Sequence, residues 1–191
     1  MDFIGFGKSA PLKEPFSVGD YAKWTKAAMA ALGVEKPHVI AHSFGCRVAV
    51  KLAASNEGIF DKILLTGPAG VIIKRGFLYR LRVQTYRAVK KIAPRFAEKH
   101  FGSAEYRSLS PLMKESYKKI VNEDLLVCAR RVCNEVLIIE GEEDKTTTLQ
   151  EAEAYLHSFP KGRLCVMQGG HFAFAQHPIL FNMKAEEFLY G

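Results

Sequence analysis

One serine stands between a short apolar run, Val39-Ile40-Ala41, and a helix-compatible run from Cys46 to Ala54, inside the pentapeptide Ala41-His42-Ser43-Phe44-Gly45. A strand that turns sharply into a helix through small-x-Ser-x-Gly holds the serine hydroxyl clear of the backbone and aims the helix N-terminus at it. The residues two before and two after the serine are small because a bulky side chain at either place would collide with the turn. No other stretch of the chain restricts the fold as much, since it demands a strand, a tight turn and a helix in that order. A Ser-Gly turn between an unrelated strand and helix would satisfy the same five residues, so the remainder of the chain has to decide.

A serine hydroxyl is a poor nucleophile near neutral pH and needs a base within hydrogen-bond reach, itself oriented by a third group. Two later segments offer these partners in the order acid, then histidine. Val136-Leu137-Ile138-Ile139 reads as a buried parallel strand emptying into Glu140-Gly141-Glu142-Glu143-Asp144, with Asp144 just past the strand end, where the side chains of parallel sheets gather around a site. Leu164-Cys165-Val166-Met167 reads as another buried strand, followed by Gln168-Gly169-Gly170-His171. Glu142 and Glu143 are also candidates for the acid, but read as solvated loop charges. Asp144 could instead cap the helical segment Leu149 to Phe159, although Thr146 to Thr148 are closer. Among the six histidines, His42 beside the serine reads as a packing or pocket residue, while His38, His100 and His157 read as surface residues. His177, before Pro178, reads as the start of the last helix. His171 alone combines a preceding strand with a glycine hinge, which makes it the candidate base.

The rest of the chain alternates in the same way. Phe16 to Leu32 carries Tyr21, Trp24, Ala28 and Leu32 at helical spacing, with an entry at Ser17-Val18-Gly19-Asp20 and a stop at Gly33. Phe60 to Thr66 is the next strand, ended by Gly67-Pro68-Ala69-Gly70. Strands alternating with helices predict an α/β fold with a mostly parallel sheet covered on both faces. The alternation stops from Val71 to Asn134, which reads as helices broken at Pro94, Gly102 and Pro111, and it resumes at Val136. Pro178 to Tyr190 closes the chain as a helix. The expected organisation is therefore a core in two parts, 1–70 and 135–191, with a helical cap at 71–134.

The chain resembles the α/β-hydrolase fold family with a cap. The matching pieces are Asp2-Phe3-Ile4-Gly5-Phe6-Gly7-Lys8-Ser9 (D-x-x-G-x-G-x-S), Pro37 to Gly45, Ile63 to Gly70, Leu137 to Asp144 and Gly169-Gly170-His171, which cover most of the chain outside its middle third. The resemblance implies Ser43 as nucleophile, Asp144 as acid, His171 as base and the Phe44 N–H as an oxyanion-hole donor. Serine at the elbow separates the chain from dehalogenases and epoxide hydrolases of this fold, which place Asp there. Ala41 stands where such elbows more often have Gly. Family members usually carry further strands before the D-x-x-G-x-G segment, with a loop that supplies a second oxyanion donor, whereas here Met1 adjoins Asp2. The expectation is an incomplete gene product or a late start codon, N-terminal strands missing, and an exposed apolar edge at Val39 to Ala41. Loss of one oxyanion donor costs on the order of 10²- to 10³-fold in rate.

Composition bounds what else the chain could be. At 191 residues and 48% hydrophobic it suits one globular domain. Its four cysteines form neither CxxC pairs nor a Cys/His cluster, so no metal is expected, and a reduced, cytoplasmic protein with buried thiols is. No signal-like leader and no run of about 18 apolar residues occurs, although a late start would hide a leader. Gly5-Phe6-Gly7-Lys8-Ser9 echoes a phosphate loop, but Asp2 stands where that motif needs Gly, and Pro11 spoils the dinucleotide pattern Gly5-x-Gly7-x-x-Ala10. No cofactor is expected.

Of the charge, 15 Lys+Arg against 5 Asp+Glu lie between Val71 and Asn134. Aromatics there (Phe77, Tyr79, Tyr86, Phe96, Phe101, Tyr106, Tyr117) would cover an apolar site for a small ester-type substrate, and Arg80, Arg82, Arg87, Lys90 and Lys91 could draw an anionic one. For most of these residues a cap core and a solvated face explain as much. Gly76 to Ala93 is basic and partly amphipathic, suited to peripheral contact with anionic lipid, while nucleic acid is not expected because no binding motif accompanies the charge. Two functions follow: a serine hydrolase of esters or thioesters, or a catalytically silent relative that binds a ligand, partner or acidic membrane through its cap.

Overall fold

The computed structural model describes residues 2–73, 106 and 108–191. Four strands, β1 (Val39–His42), β2 (Ile63–Thr66), β3 (Val136–Gly141) and β4 (Gly162–Met167), form one sheet in the order β1-β2-β3-β4. Every pairing is parallel, with Ala41 opposite Leu65 and Leu65 opposite Ile138. A parallel pair needs a crossover between its strands, and the helices meet that need. They are α1 (Val18–Ala31), α2 (Phe44–Ser55), α3 (Pro111–Val121), α4 (Leu126–Ala129), α5 (Leu149–Leu156), α6 (Ala173–Gln176) and α7 (Pro178–Tyr190).

Side chains alternate across a strand, so the two central strands feed two cores. Ile63, Leu65, Val136 and Ile138 pack with Val18 and Tyr21 of α1, Val48 and Leu52 of α2, Ala129 of α4 and Tyr155 of α5. Leu64, Leu137 and Ile139 point the other way, against Ala173 of α6 and Phe181, Ala185, Phe188 and Leu189 of α7. The predicted parallel sheet with helices on both faces is therefore present. Burying each such Leu or Ile contributes roughly 1.5–3 kcal/mol, which makes β2 and β3 the rigid base of whatever their C-terminal ends carry.

Local chemistry sets the element ends. Ser17 accepts from the Asp20 N–H and its own N–H donates to the Asp20 carboxylate, a reciprocal cap that starts α1. Thr148 and Glu151 do the same for α5, so Asp144 is not the cap of that helix. Leu32, the last of the residues at helical spacing, is the C-cap of α1 and is 66% exposed.

The middle segment is tied down at one end. Buried Arg47, in the first turn of α2, donates from Nη1 to the carbonyl of Ile120 in the last turn of α3 (2.8 Å) and to that of Glu123 just past the helix (2.9 Å), and Lys51 pairs with Glu123 at 2.7 Å. Carbonyls of a helix's last turn lack a full α-helical partner, so a guanidinium here adds a donor to the Ile120 carbonyl and meets the negative end of α3. Phe16 N–H donates to Ser116 Oγ on the same helix. The expected cap falls in large part on 74–105 and 107, outside the described residues, together with Phe77, Tyr79, Arg80, Arg82, Tyr86, Arg87, Lys90, Lys91, Phe96, Phe101 and His100.

Other expectations need correction. β4 is an edge strand rather than a buried one, and Val166 on it is exposed, since lateral order in a sheet is not written in any one strand. Among the described strands β1 is the opposite edge; Ile40 on it is 52% exposed while Ala41 is buried. All four cysteines are free, but only Cys46 is buried and Cys133 is exposed. Among the described residues, no helix is long and apolar enough to cross a membrane.

Candidate active site

The pentapeptide at 41–45 forms the turn that its sequence demands. Ser43 N–H donates to Thr66 O on β2, which extends the β1–β2 ladder by one residue, and α2 begins at Phe44. Ser43 itself has φ 50° and ψ −110°, a conformation that an L residue rarely adopts. As N-cap residue it makes no side-chain cap, so its hydroxyl is free to face away from the helix. A methyl added at Gly45 would lie 3.7 Å from Ala41 Cβ, an ordinary contact. The close approach thus excludes large side chains at 41 and 45, but is looser for a single carbon than the collision expected from sequence.

Such backbone geometry costs roughly 1–3 kcal/mol in a non-glycine residue. Ser43→Gly is therefore expected to raise the thermal midpoint by about 2–4 °C, even after the extra chain entropy of glycine is subtracted. A melting curve without that rise would show that the turn is relaxed.

Opposite Ser43 lies the loop after β4. His171 Nε2 is 3.0 Å from Ser43 Oγ, and His171 Nδ1 is 2.6 Å from Asp144 Oδ2. The three residues picked from sequence, far apart along the chain, meet at the C-terminal ends of β1, β3 and β4, where sites of open parallel sheets lie. With Nδ1–H donating to the carboxylate, Nε2 is left as acceptor for the serine proton. Phe44 is the first residue of α2, and the first N–H groups of a helix lack partners within it, so its N–H is a donor beside Ser43.

Asp144 is well held. It accepts from the N–H groups of Thr146 (2.6 Å) and Thr147 (3.0 Å) and from Thr147 Oγ1 (2.8 Å). Burial works against its charge, but the bonds from His171 and the two threonines outweigh it and hold the carboxyl below its ordinary range. Glu142 and Glu143 are exposed, as expected of loop charges. Close packing sets where the histidine loop runs. A methyl on Gly141 would lie 2.6 Å from Gly169 O and closer still to Gly170 O, and one on Gly67 would meet His171 Nδ1 at 3.1 Å. Gln176 Oε1 accepts from the Gly170 N–H at 2.9 Å and secures the far side.

Three neighbours escaped sequence reasoning. Thr147, weighed there only as a helix cap, bridges Asp144 and His171, with Oγ1 3.2 Å from Nδ1; its spacing of three residues from an Asp was the available signal. His42 donates from Nε2 to the His171 carbonyl at 2.9 Å, which fixes its neutral tautomer and ties the serine turn to the histidine loop. Burial pushes the His42 imidazole below its usual range, so it stays neutral at neutral pH. Glu140, read from sequence as the start of an acidic loop, is inside β3 and fully buried. Among the described residues, no group of three or more His, Cys, Asp or Glu side chains is arranged to hold a metal.

A family model described as alpha/beta hydrolase fold matches residues 1–178. The chain is 30% identical over 97 residues to a probable lysophospholipase, BODYGUARD 3 of Arabidopsis thaliana, an alignment covering 50% of this chain and 19% of that protein. It is 24% identical over 210 residues to a 2-hydroxymuconate semialdehyde hydrolase of Pseudomonas putida, covering 98% of this chain and 75% of the relative. Among solved structures, an esterase from Exiguobacterium antarcticum superposes with a TM-score of 0.77 at 19% identity, covering 100% of this chain and 80% of that one.

Proposed function

Because the chain belongs to the α/β-hydrolase fold family, we propose that it is a serine hydrolase, cleaving an ester or thioester of a small to medium substrate through Ser43, His171 and Asp144. The observation that carries this reading is the continuous hydrogen-bonded line from Ser43 Oγ through His171 to Asp144, at 3.0 and 2.6 Å. Ser43 Oγ attacks the carbonyl carbon as His171 Nε2 takes its proton. Asp144, kept ionised by Thr146 and Thr147, stabilises the imidazolium and holds the tautomer. Negative charge gathers on the former carbonyl oxygen and is met by the Phe44 N–H. The imidazolium then gives its proton to the departing alcohol or thiol, and a water activated by His171 releases the acid from the acyl-serine.

Relatives named as a probable lysophospholipase and as a 2-hydroxymuconate semialdehyde hydrolase support hydrolysis as the class of chemistry. The 71–134 segment, inserted between β2 and β3, would serve as the substrate-covering cap.

A fluorophosphonate probe tests the reading, because it reacts only with a serine whose proton has somewhere to go. Covalent labelling at Ser43, abolished in Ser43→Ala and strongly slowed in His171→Ala, is expected. A folded protein that takes up no label would favour the silent binding protein instead.

A further inference from the structure

Among the described residues, Glu140 is the one buried carboxyl near Ser43, His171 and Asp144 that the mechanism leaves unused. Its side chain is 0% exposed. Oε1 accepts from the Gly141 N–H at 3.0 Å, while Oε2 has no hydrogen-bond partner. Buried polar atoms are nearly always partnered, so an orphan beside a reactive site needs an explanation. In β3, Glu140 shares a face with Val136 and Ile138, the face packed by α2 and α5. The ionisable groups that face it from each neighbour are Asp144 from the turn after β3, Glu151 from α5 and the Cys46 thiol from α2. Each is an acid and can only repel a negative charge placed there. Burial first, then the Asp144 charge and a close side-chain approach to Asp144 that favours a shared proton, push the Glu140 carboxyl up to about 8.

We propose that Glu140, a fully buried carboxyl with one oxygen unpartnered at the end of β3, is a positioning residue for the Ser43–His171–Asp144 line: a negative charge on it drives the Asp144 carboxylate off His171 and disarms the base. The proposal rests on the serine-hydrolase reading for its effect on turnover, but not for its effect on the Asp144–His171 contact. Glu140 stands on a rigid central strand, whereas Asp144 stands on a turn held by bonds to 146, 147 and 171. When two carboxylates repel, the one on the turn moves. A second anion would also strengthen the imidazole as a base if nothing moved, so the direction of the alkaline response separates displacement from a purely electrostatic effect.

The test compares the wild type with Glu140→Gln, which keeps the shape and an acceptor for the Gly141 N–H but carries no ionisable proton. Aryl-ester kcat/KM is followed for each protein relative to its own value at pH 7. Between pH 7 and 9.5 the wild type should lose 10-fold or more while the variant holds its value. The Nδ1–H proton resonance of His171, far downfield when it bonds a carboxylate, needs no substrate; it should fade above about pH 8 in the wild type and persist in E140Q. Thermal midpoints give an independent check on the protonation state. A carboxyl raised in the folded state from 4.5 to about 8 contributes stability that is complete below pH 4.5 and lost as pH rises through 8, so E140Q should become progressively more stable than the wild type across that window. Parallel pH profiles of the downfield resonance in the two proteins, or an alkaline rise in wild-type activity that E140Q lacks, would overturn the proposal. An absence of turnover in both proteins, with the resonance behaving as expected, would count against the hydrolase reading and leave the Glu140 role standing.

Discussion

Ser43→Ala and His171→Ala are each expected to cut turnover of a short-chain aryl ester by about 10⁵- to 10⁶-fold, with the double variant no slower than either single one. The size follows from the division of labour along the hydrogen-bonded line. Without the hydroxyl there is no acyl-enzyme, and without the imidazole the hydroxyl keeps its proton, so either loss removes the same step and the second costs nothing more. Asp144→Asn should be milder, about 10⁴-fold, because the histidine remains but its tautomer is no longer favoured. Steady-state rates on purified variants, with circular dichroism to show that they fold, measure all four. Wild-type turnover in either single alanine variant would dismiss the assignment, whereas additive losses would mean that the two side chains act in separate steps.

The second large effect is expected from a residue with no side chain. Gly141→Ala should lower kcat by about 100-fold or more, since a misplacement of about 1 Å among reacting groups is enough for that loss. At this point the end of β3 runs against the carbonyls of Gly169 and Gly170, and an added methyl would lie 2.6 Å from the first and nearer the second. Backbone oxygens cannot rotate away as a side chain would. The loop has to retreat, and it carries His171 with it, opening the 3.0 Å contact to Ser43 Oγ. Fluorophosphonate labelling should slow in proportion while the melting curve shifts far less, because the displaced loop is at the surface of the sheet. An unchanged labelling rate would show that the loop has slack.

The elbow was legible in the sequence because it is contiguous: five residues carry the strand end, the turn and the helix start. Asp144 and His171 were legible as candidates for a similar reason, each lying within a few residues of an aliphatic run that could only be a strand. Their proximity to Ser43 follows once three parallel strands end on one side, which is a property of the sheet rather than of any segment. What could not be read was lateral. The exposure of Val166 depends on β4 having a neighbour on one side only, and no periodicity in Leu164 to Met167 records that. Glu140 looked like the first residue of a polar loop because charge normally marks a strand end, yet β3 runs one residue beyond it. The bond from His42 to the His171 carbonyl joins positions 129 residues apart and leaves no trace in either local pattern.

Arg47 has a mechanical consequence. A cation with two donors on the Ile120 and Glu123 carbonyls at and just past the end of α3, seconded by the Lys51–Glu123 pair, acts as a rivet, and drawing it would strand a charge in a dry place at a cost of about 3–5 kcal/mol. Residues 120–123 are thereby fastened to the helix that begins at the serine, so any displacement of that end of α3 would pull on the footing of the serine itself.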